Sequence, residues 1–134
     1  MKNILTVIFI LAIIFSGCKK AGEGGSTTID VRVLDTNAVP VYHAKVYVQY
    51  NTLERSGNPE IKFDDSLSTN FKGQAVFTQL RRGDYFFYAV YTDTVRLDSL
   101  SPVTEVKFTG GEGIHIRNNS LERAVVINLE KSEE

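Results

Sequence analysis

The chain has 134 residues, of which 15 are Lys or Arg and 16 are Asp or Glu, so its net charge is −1. The Lys and Arg residues are not clustered along the sequence, which therefore predicts no nucleic-acid partner. Its single cysteine excludes an intrachain disulfide, so a stable fold must depend on a packed core.

Residues 1–17 are predicted to be a signal peptide. Lys2 supplies a positive start, and an apolar run of 12 residues follows from Ile4 to Phe15. A permanent membrane span needs about 20 such residues, so this run is too short to be one. It ends at Phe15-Ser16-Gly17-Cys18, which resembles the lipobox of bacterial lipoproteins, although Leu is commoner where Phe15 stands.

The lipobox resemblance implies cleavage before Cys18, acylation of its thiol and a membrane as partner through that lipid. Several acyl chains anchor a protein firmly, whereas one chain binds only marginally. Lys19 and Lys20 follow, with no Asp after Cys18, which resembles sorting to the outer membrane. Two alternatives follow for the domain: it faces the periplasm, or it faces the outside of the cell. Residues 18–26 are Gly-rich and polar, which predicts a lipidated cysteine followed by a flexible tether.

Residues 27–134 are predicted to form one domain, because their number suits one core and hardly two. Apolar residues alternate with polar ones at a period of two, which is typical of β-strands. Turns are expected at Lys72-Gly73 and Arg82-Gly83-Asp84, and a loop at the Gly-rich residues 110–113. The predicted strands lie at 29–33, 44–50, within 61–69, and at 74–78, 85–92, 104–109 and 123–130. This spacing predicts an all-β, seven-stranded antiparallel β-sandwich.

Two segments carry a family resemblance. Val33-Leu34-Asp35 with Pro40-Val41, and then residues 69–85 with Gly73, Leu80 and Gly83-x-Tyr85, are similar to transthyretin-like (prealbumin-like) and carboxypeptidase-regulatory-like domains. The resemblance implies a carbohydrate-binding-like sandwich with Ala75, Phe77, Leu80 and Tyr85 facing inward. Such sandwiches host many roles, so the resemblance implies no particular activity.

No catalytic pattern accompanies this fold. A metallocarboxypeptidase site needs His-x-x-Glu, but His43 is followed by Ala-Lys-Val, and His115 is the only other histidine. Related hydrolases of purine breakdown carry a strand histidine where this chain has Arg32. Asp64-Asp65 is expected to be a pair of solvated loop acids, because calcium sites need more oxygens from a shaped loop. The sequence predicts a non-enzyme with no cofactor and no metal.

The strand predicted at 85–92 carries more aromatic residues than its core-facing side requires. If Tyr85, Phe87 and Ala89 face inward, then Phe86 and Tyr88 face outward, and Tyr47 faces outward on its own strand. In the transthyretin-like domains that this chain resembles, these two strands are neighbours in one sheet. The resemblance thus implies that Tyr47, Phe86 and Tyr88 form an exposed aromatic patch that binds a glycan or a protein. Three segments are alternatives that would cover the patch instead: the tether, residues 51–60 and residues 110–121.

The sequence leaves two functions open. One is a non-catalytic accessory module of the cell envelope, which contacts glycan or host protein through the aromatic patch. The alternative is a structural subunit that tethers an envelope or secretion assembly to the outer membrane, with its edge strands or loops docking a partner.

Overall fold

The computed structural model describes residues 20–56, 62–96, 98–100, 102–117 and 122–132, and all regular structure within these ranges is β-strand. The strands are β1 (Glu23–Leu34), β2 (Lys45–Tyr50), β3 (Asp65–Ser68), β4 (Gln74–Leu80), β5 (Gly83–Val95), β6 (Thr104–Ile116), β7 (Glu122–Asn128) and β8 (Glu130–Lys131). Among these residues no helix is long and apolar enough to cross a membrane. The predicted signal peptide and Cys18 lie outside the described residues.

The strands form two sheets that share one core, as the sequence predicts for a β-sandwich. One sheet has the order β4-β1-β7 and the other the order β3-β2-β5-β6-β8. Alternate residues of each strand face the opposite sheet, because side chains alternate between the two faces of a strand. Ile29 and Val31 of one sheet and Val46 and Phe87 of the other are wholly buried in the same cluster.

The prediction of seven antiparallel strands is wrong in two respects. The described residues form eight strands, and β7 runs parallel to β1, from Thr28 opposite Glu122 to Leu34 opposite Asn128. The predicted strand 123–130 is divided, because the chain leaves one sheet at Leu129 and pairs as β8 with β6 in the other sheet. Alternation along a single chain carries no information about strand direction or about a change of sheet.

The loop expected at residues 110–113 is also not observed, because these residues lie inside β6 and pair with β5. A Cβ at Gly110 would lie 2.3 Å from the carbonyl oxygen of Asn128. Glycine therefore allows a neighbouring strand to approach closely here, rather than making a turn.

The N-terminal end of the sandwich differs most from expectation. β1 begins at Glu23, so the segment predicted as a tether to residue 26 already belongs to the sheet. Ala21 and Gly22 are buried, and Glu23 and Thr27 both stand opposite Leu80 across a bulge. A Cβ at Gly25 would lie 2.0 Å from the Leu80 carbonyl oxygen. The glycines that resemble a flexible linker in sequence thus permit close packing against β4.

The two lateral sides of the sandwich are unequal. On one side the chain crosses between the sheets at Leu129, which is buried. On the other side β3 and β4 are the edge strands of their sheets, and each pairs with a strand on one flank only. The open side therefore lies between β3 and β4.

Candidate functional site

The predicted aromatic residues do share one face of the five-stranded sheet. Tyr47 on β2 stands directly opposite Tyr88 on β5, and Gln49 stands opposite Phe86. Tyr47, Phe86 and Tyr88 alternate with core residues on both strands, so their outward orientation is as predicted.

The expected exposure, however, is wrong for Phe86 and Tyr88, whereas Tyr47 is half-buried. Phe86 is only 8 % exposed and Tyr88 only 9 % exposed. Phe63 covers this face, with its ring centroid 4.9 Å from that of Tyr47 and 5.9 Å from that of Tyr88. The planes of Phe63 and Tyr88 differ by 4°, so these two rings stack.

Residues 51–56 complete this cover. Arg55 donates a hydrogen bond from Nη1 to the Tyr88 hydroxyl at 3.0 Å, and its guanidinium carbon lies 4.3 Å from the Tyr88 ring centroid. A Cβ at Gly113 would lie 2.2 Å from the Leu53 carbonyl oxygen, so the backbone at Leu53 rests directly on β6. Of the alternatives raised by the sequence, residues 51–56 cover Tyr88, and residues 110–121 contribute Gly111, where a Cβ would lie 2.5 Å from Cζ of Phe86. Ligand binding by Tyr47, Phe86 and Tyr88 stays a prediction.

The open side of the sandwich holds a cleft of about 250 Å³ between β3 and β4. We call it the edge cleft. The polar residues that line it come from four strands and are Glu23, Tyr50, Asp65, Thr78 and Gln79. None of the residues that line it is Lys or Arg. Two carboxylates without a lining cation give the edge cleft an acidic character.

Tyr50 is the aromatic member of the edge cleft. Its ring meets the buried Tyr85 ring edge to face at 5.5 Å, and its backbone N–H donates to Asp64 at 2.6 Å. Burial, reinforced by the nearby charges of Glu23, Asp65 and Asp64, raises the pKa of the Tyr50 hydroxyl to about 12. At neutral pH this hydroxyl is therefore protonated and can donate a hydrogen bond, but it is neither a base nor a nucleophile.

Gln79 lines the edge cleft at a bulge in β4. Thr27 stands opposite Leu80 and Ile29 opposite Phe77, so β4 has one more residue than β1 over this stretch. Gln79 has a φ of 59°, in the left-handed region that residues other than glycine seldom adopt. Bulges and residues with unusual φ commonly redirect side chains at functional sites.

Apolar residues form the rest of the edge cleft. Phe77 and Leu80 belong to the buried core, whereas Leu67 and Val76 are exposed on the two edge strands. The cleft thus combines apolar surface with carboxylate, amide and hydroxyl groups. Such a combination suits a ligand that carries both C–H surface and many hydroxyls, because each kind of group finds a matching partner.

Sequence reasoning did not find the edge cleft. Glu23 was assigned to the tether, Asp65 to a solvated loop, and nothing in the sequence distinguishes Gln79. The chain brings these residues together only because β1, β3 and β4 meet at the open side.

Neither His43 nor His115 lines the edge cleft. His43 is exposed in a turn with a φ of 60°, and His115 on β6 pairs through Nδ1 with the Asp84 carboxylate. Within the described part of the chain, no group of three or more His, Cys, Asp or Glu is arranged to hold a metal ion.

No known protein family matches this chain, and no curated protein is similar to it in sequence. A proposed carbohydrate-binding protein from Pseudomonas aeruginosa has a similar structure, with a TM-score of 0.54 and 12 % identity over 81 % of this chain and 91 % of the other. The similarity shows a shared β-rich fold. An (S)-allantoin synthase structure aligns over 84 % of this chain and 46 % of its own, with 13 % identity and a TM-score of 0.38. At that score the alignment says nothing about fold or chemistry.

Proposed function

We propose that this protein is a non-catalytic binding module of the bacterial cell envelope that holds a neutral carbohydrate in the edge cleft. In the same proposal the sandwich is transthyretin-like, and lipid on Cys18 anchors it to the outer membrane. The single observation that carries the binding role is the pairing of apolar surface with Glu23, Tyr50, Asp65 and Gln79 in one cleft.

The chemistry of the edge cleft favours a neutral sugar. Sugar hydroxyls donate to the Glu23 and Asp65 carboxylates and accept from the protonated Tyr50 hydroxyl. The amide of Gln79 can both donate and accept, and the C–H face of a sugar ring packs on Leu67 or Val76. Two carboxylates without a lining cation disfavour acidic glycans, because like charges repel in a partly desolvated site.

The size of the edge cleft indicates a small part of a longer chain. Its volume of about 250 Å³ lies below the roughly 300 Å³ at which sites for drug-sized ligands begin. Such a volume suits one or two sugar units, with the remaining glycan extending from the open side into solvent. The similar fold of a proposed carbohydrate-binding protein supports the same ligand class.

The residues of the edge cleft do not support nucleophilic catalysis by Tyr, His or Cys. The Tyr50 hydroxyl keeps its proton at neutral pH, and neither His nor Cys lines the edge cleft. Glu23 and Asp65 are of the type that glycoside hydrolases use in pairs, so product analysis decides between binding and hydrolysis.

The test uses the mature chain with Cys18→Ser, screened against an array of neutral and acidic glycans. Glu23→Gln and Gln79→Ala are expected to weaken binding of the best neutral glycan about tenfold, as loss of a hydrogen bond to a charged or buried group does. Glu105→Gln, on an exposed part of β6, is the matched control and should bind normally. A protein that binds no glycan, or variants that bind as the wild type does, would overturn the proposal.

Catalysis is tested on the same ligand. Mass spectrometry of the glycan after long incubation is expected to show an unchanged molecule. Cleaved products that disappear in the Glu23→Gln variant would show an enzyme and overturn the non-catalytic assignment.

A structural subunit of an envelope assembly is the second candidate, favoured by an apolar loop tip. Val39 and Tyr42 are each 54 % exposed and Phe71 is 76 % exposed, on the loops after β1 and β3. The Thr69 hydroxyl joins these loops, since it donates to the Val41 carbonyl at 2.6 Å and accepts from the Ala44 N–H at 2.9 Å. A photocrosslinking residue in place of Phe71 should then capture one envelope protein in cells, whereas the same residue in place of Thr92 should not.

A further inference from the structure

The segment that immediately follows the predicted lipid site is bound to the sandwich. Ala21 donates from its backbone N–H to Asn51 Oδ1 at 3.1 Å, and Gly22 donates to the Tyr85 hydroxyl at 2.9 Å. The Gly22 carbonyl accepts from the Arg81 N–H at 2.8 Å. The loop after β2 and the turn before β5 therefore hold this segment in place.

Side-chain packing reinforces these hydrogen bonds. Ala21 is buried, and a Cβ at Gly83 would lie 2.7 Å from the Cβ of Ala21. β1 begins only two residues later, at Glu23. The chain is therefore part of the folded domain from Ala21 onwards.

The predicted lipid site is close to this folded domain in sequence. Lys19 and Lys20 are the only residues between Cys18 and Ala21. An extended chain spans at most about 3.6 Å per residue, so Cys18 lies within about 11 Å of Ala21 and within about 18 Å of Glu23. A lipid on Cys18 would therefore keep this end of the sandwich beside the bilayer surface.

The edge cleft lies at the same end of the sandwich. Four of its lining residues are terminal residues of their strands: Glu23 begins β1, Tyr50 ends β2, Asp65 begins β3 and Leu80 ends β4. Since β1 and β4 are antiparallel, as are β2 and β3, the start of one strand meets the end of the other in each sheet. Glu23 is thus a lining residue that follows the predicted lipid site by only five positions.

Charge alone does not attract this end of the sandwich to a membrane. Described residues of both signs occur there, with the acids Glu23, Glu54, Asp64, Asp65, Asp84 and Glu122 and the bases Lys20, Arg81, Arg82, Arg117 and Arg123. The covalent lipid is therefore what would hold the edge cleft beside the bilayer. Within the cleft, Glu23 and Asp65 have no lining cation and disfavour anionic headgroups.

We propose that the sugar bound in the edge cleft is the headgroup of a neutral glycolipid in the same membrane that anchors the protein. The inference rests on the proposed function, on both its lipid anchor and its sugar site. A free glycan and a glycolipid headgroup offer the same hydroxyls to the cleft. The position of the cleft beside the anchor favours the headgroup.

The shape of the edge cleft fits this source of sugar. Its volume of about 250 Å³ suits one or two sugar units, and it opens on the lateral side of the sandwich between β3 and β4. A headgroup that rises from the bilayer beside the domain reaches such an opening while its lipid stays in the membrane. Further sugar units, where the glycolipid has them, extend from the open side.

A shared membrane also compensates for weak binding. A cleft of this size makes few contacts, so its affinity for a free sugar is expected to be low. A short connection between two binding partners gives an effective concentration in the millimolar range and raises the apparent affinity by about 10²–10⁴-fold without any new contact. The bilayer is the connection here, because the lipid on Cys18 and the lipid of the glycolipid both lie in it.

The test measures how a glycolipid displaces a soluble sugar from vesicle-bound protein. The thiol of Cys18, the only cysteine of the chain, is coupled to a maleimide lipid in phosphatidylcholine vesicles. The best neutral glycan from the array, made fluorescent, is bound to the protein and followed by its polarisation. A synthetic diacylglycerol that carries the terminal sugar units of this glycan is supplied in the same vesicles or in separate ones. Displacement should need at least tenfold less glycolipid in the same vesicles.

Moving the anchor to the opposite end makes the test specific to the geometry. In the variant Cys18→Ser, Asn37→Cys, the maleimide lipid is attached to an exposed position in the loop after β1. β1 separates this loop from Glu23 by eleven steps of about 3.3 Å, or about 36 Å. The soluble glycan should bind this variant as it binds the wild type, which also shows that the variant is folded. The tenfold advantage of glycolipid in the same vesicles should disappear.

The results distinguish this inference from the proposed function. Equal displacement by glycolipid in the same and in separate vesicles, or an equal advantage from both anchor positions, would overturn the inference while sugar binding in solution still stands. A Cys18→Ser protein that binds no sugar in solution would overturn the proposed function, and this inference with it.

Discussion

The hydroxyl of Tyr85 accepts a hydrogen bond from the backbone N–H of Gly22 at 2.9 Å, across 63 residues of chain. The same hydroxyl directs its proton toward the carbonyl oxygens of Arg81, at 2.8 Å, and Gly22, at 3.1 Å. Tyr85 is wholly buried, so its ring supports the core while its hydroxyl ties the N-terminal segment to the turn before β5. This one side chain converts a Gly-rich segment into part of the fold.

Tyr85→Phe is expected to lower the free energy of unfolding by about 1–3 kcal/mol, because buried backbone groups lose a partner while the ring keeps its contacts. Urea unfolding followed by circular dichroism measures the loss. Tyr42→Phe, at an exposed tyrosine, is the control and should change stability little. Hydrogen exchange at Gly22 should accelerate in Tyr85→Phe only, and unchanged exchange there would contradict the assigned role.

Stability is expected to fall as pH rises from about 10 toward 12. The pKa of Tyr50 is raised from 10.0 to about 12, chiefly by burial, and burial also raises the pKa of Tyr85. A raised pKa in the folded state means that the unfolded chain loses its protons first, so alkali favours unfolding above pH 10. Tyr50→Phe should flatten this part of the stability profile, as measured by urea midpoints at successive pH values.

Gly25→Ala is expected to destabilise the protein by about 1–3 kcal/mol, the usual cost of forcing extra atoms into packed structure. Its Cβ would lie 2.0 Å from the Leu80 carbonyl oxygen, so the backbone of β1 or β4 has to move. Ser26→Ala changes an exposed neighbour and serves as the control. If both variants unfold at the same urea concentration as the wild type, residues 23–26 are not packed as described.

Tyr88→Phe is expected to loosen residues 51–56, because Arg55 loses the hydroxyl to which it donates at 3.0 Å. Trypsin should then cut after Arg55 faster than in the wild type, as followed by mass spectrometry. Cleavage after Arg32, in the central strand of the other sheet, is the internal reference within the same digest. An unchanged cleavage rate at Arg55 would mean that the hydrogen bond does not hold the cover.

The double variant Tyr47→Ala, Tyr88→Ala distinguishes ligand binding in the edge cleft from ligand binding on the aromatic patch. Under the edge-cleft proposal, glycan binding should survive in this variant, since neither residue lines the cleft. Under the sequence prediction of an aromatic binding patch, the same variant should lose binding. Isothermal titration with the best glycan from the array distinguishes the two outcomes, with Glu23→Gln as the complementary variant.

The inward residues show where sequence reasoning succeeded. Ala75, Phe77, Leu80 and Tyr85 were expected in the core and are buried there. The adjacency of Tyr47 and Tyr88 was also predicted and is confirmed by their direct pairing. The outward or inward orientation follows from a period of two, whereas the pairing of the two strands was implied by the family resemblance.

Glycine was the residue type most often misinterpreted. Gly25 and Gly110 were expected in a tether and a loop, and both lie in strands against the backbone of another strand. A glycine has no side chain, but the sequence does not say why. The position needs either backbone flexibility or room for another strand to approach closely. The same ambiguity obscured Glu23, which lies between Gly22 and Gly24 and lines the edge cleft.

By itself, the sequence determined the all-β class, the core-facing side of most strands and the outward side that carries Tyr47, Phe86 and Tyr88. These properties follow from local alternation, which any segment carries independently of the rest. Only the tertiary structure decided that Phe63 and Arg55 cover that aromatic face and that Glu23, Tyr50, Asp65 and Gln79 surround one cleft. Those relationships arise where distant segments approach one another, and the energy of such contacts depends on the whole fold rather than on any one strand.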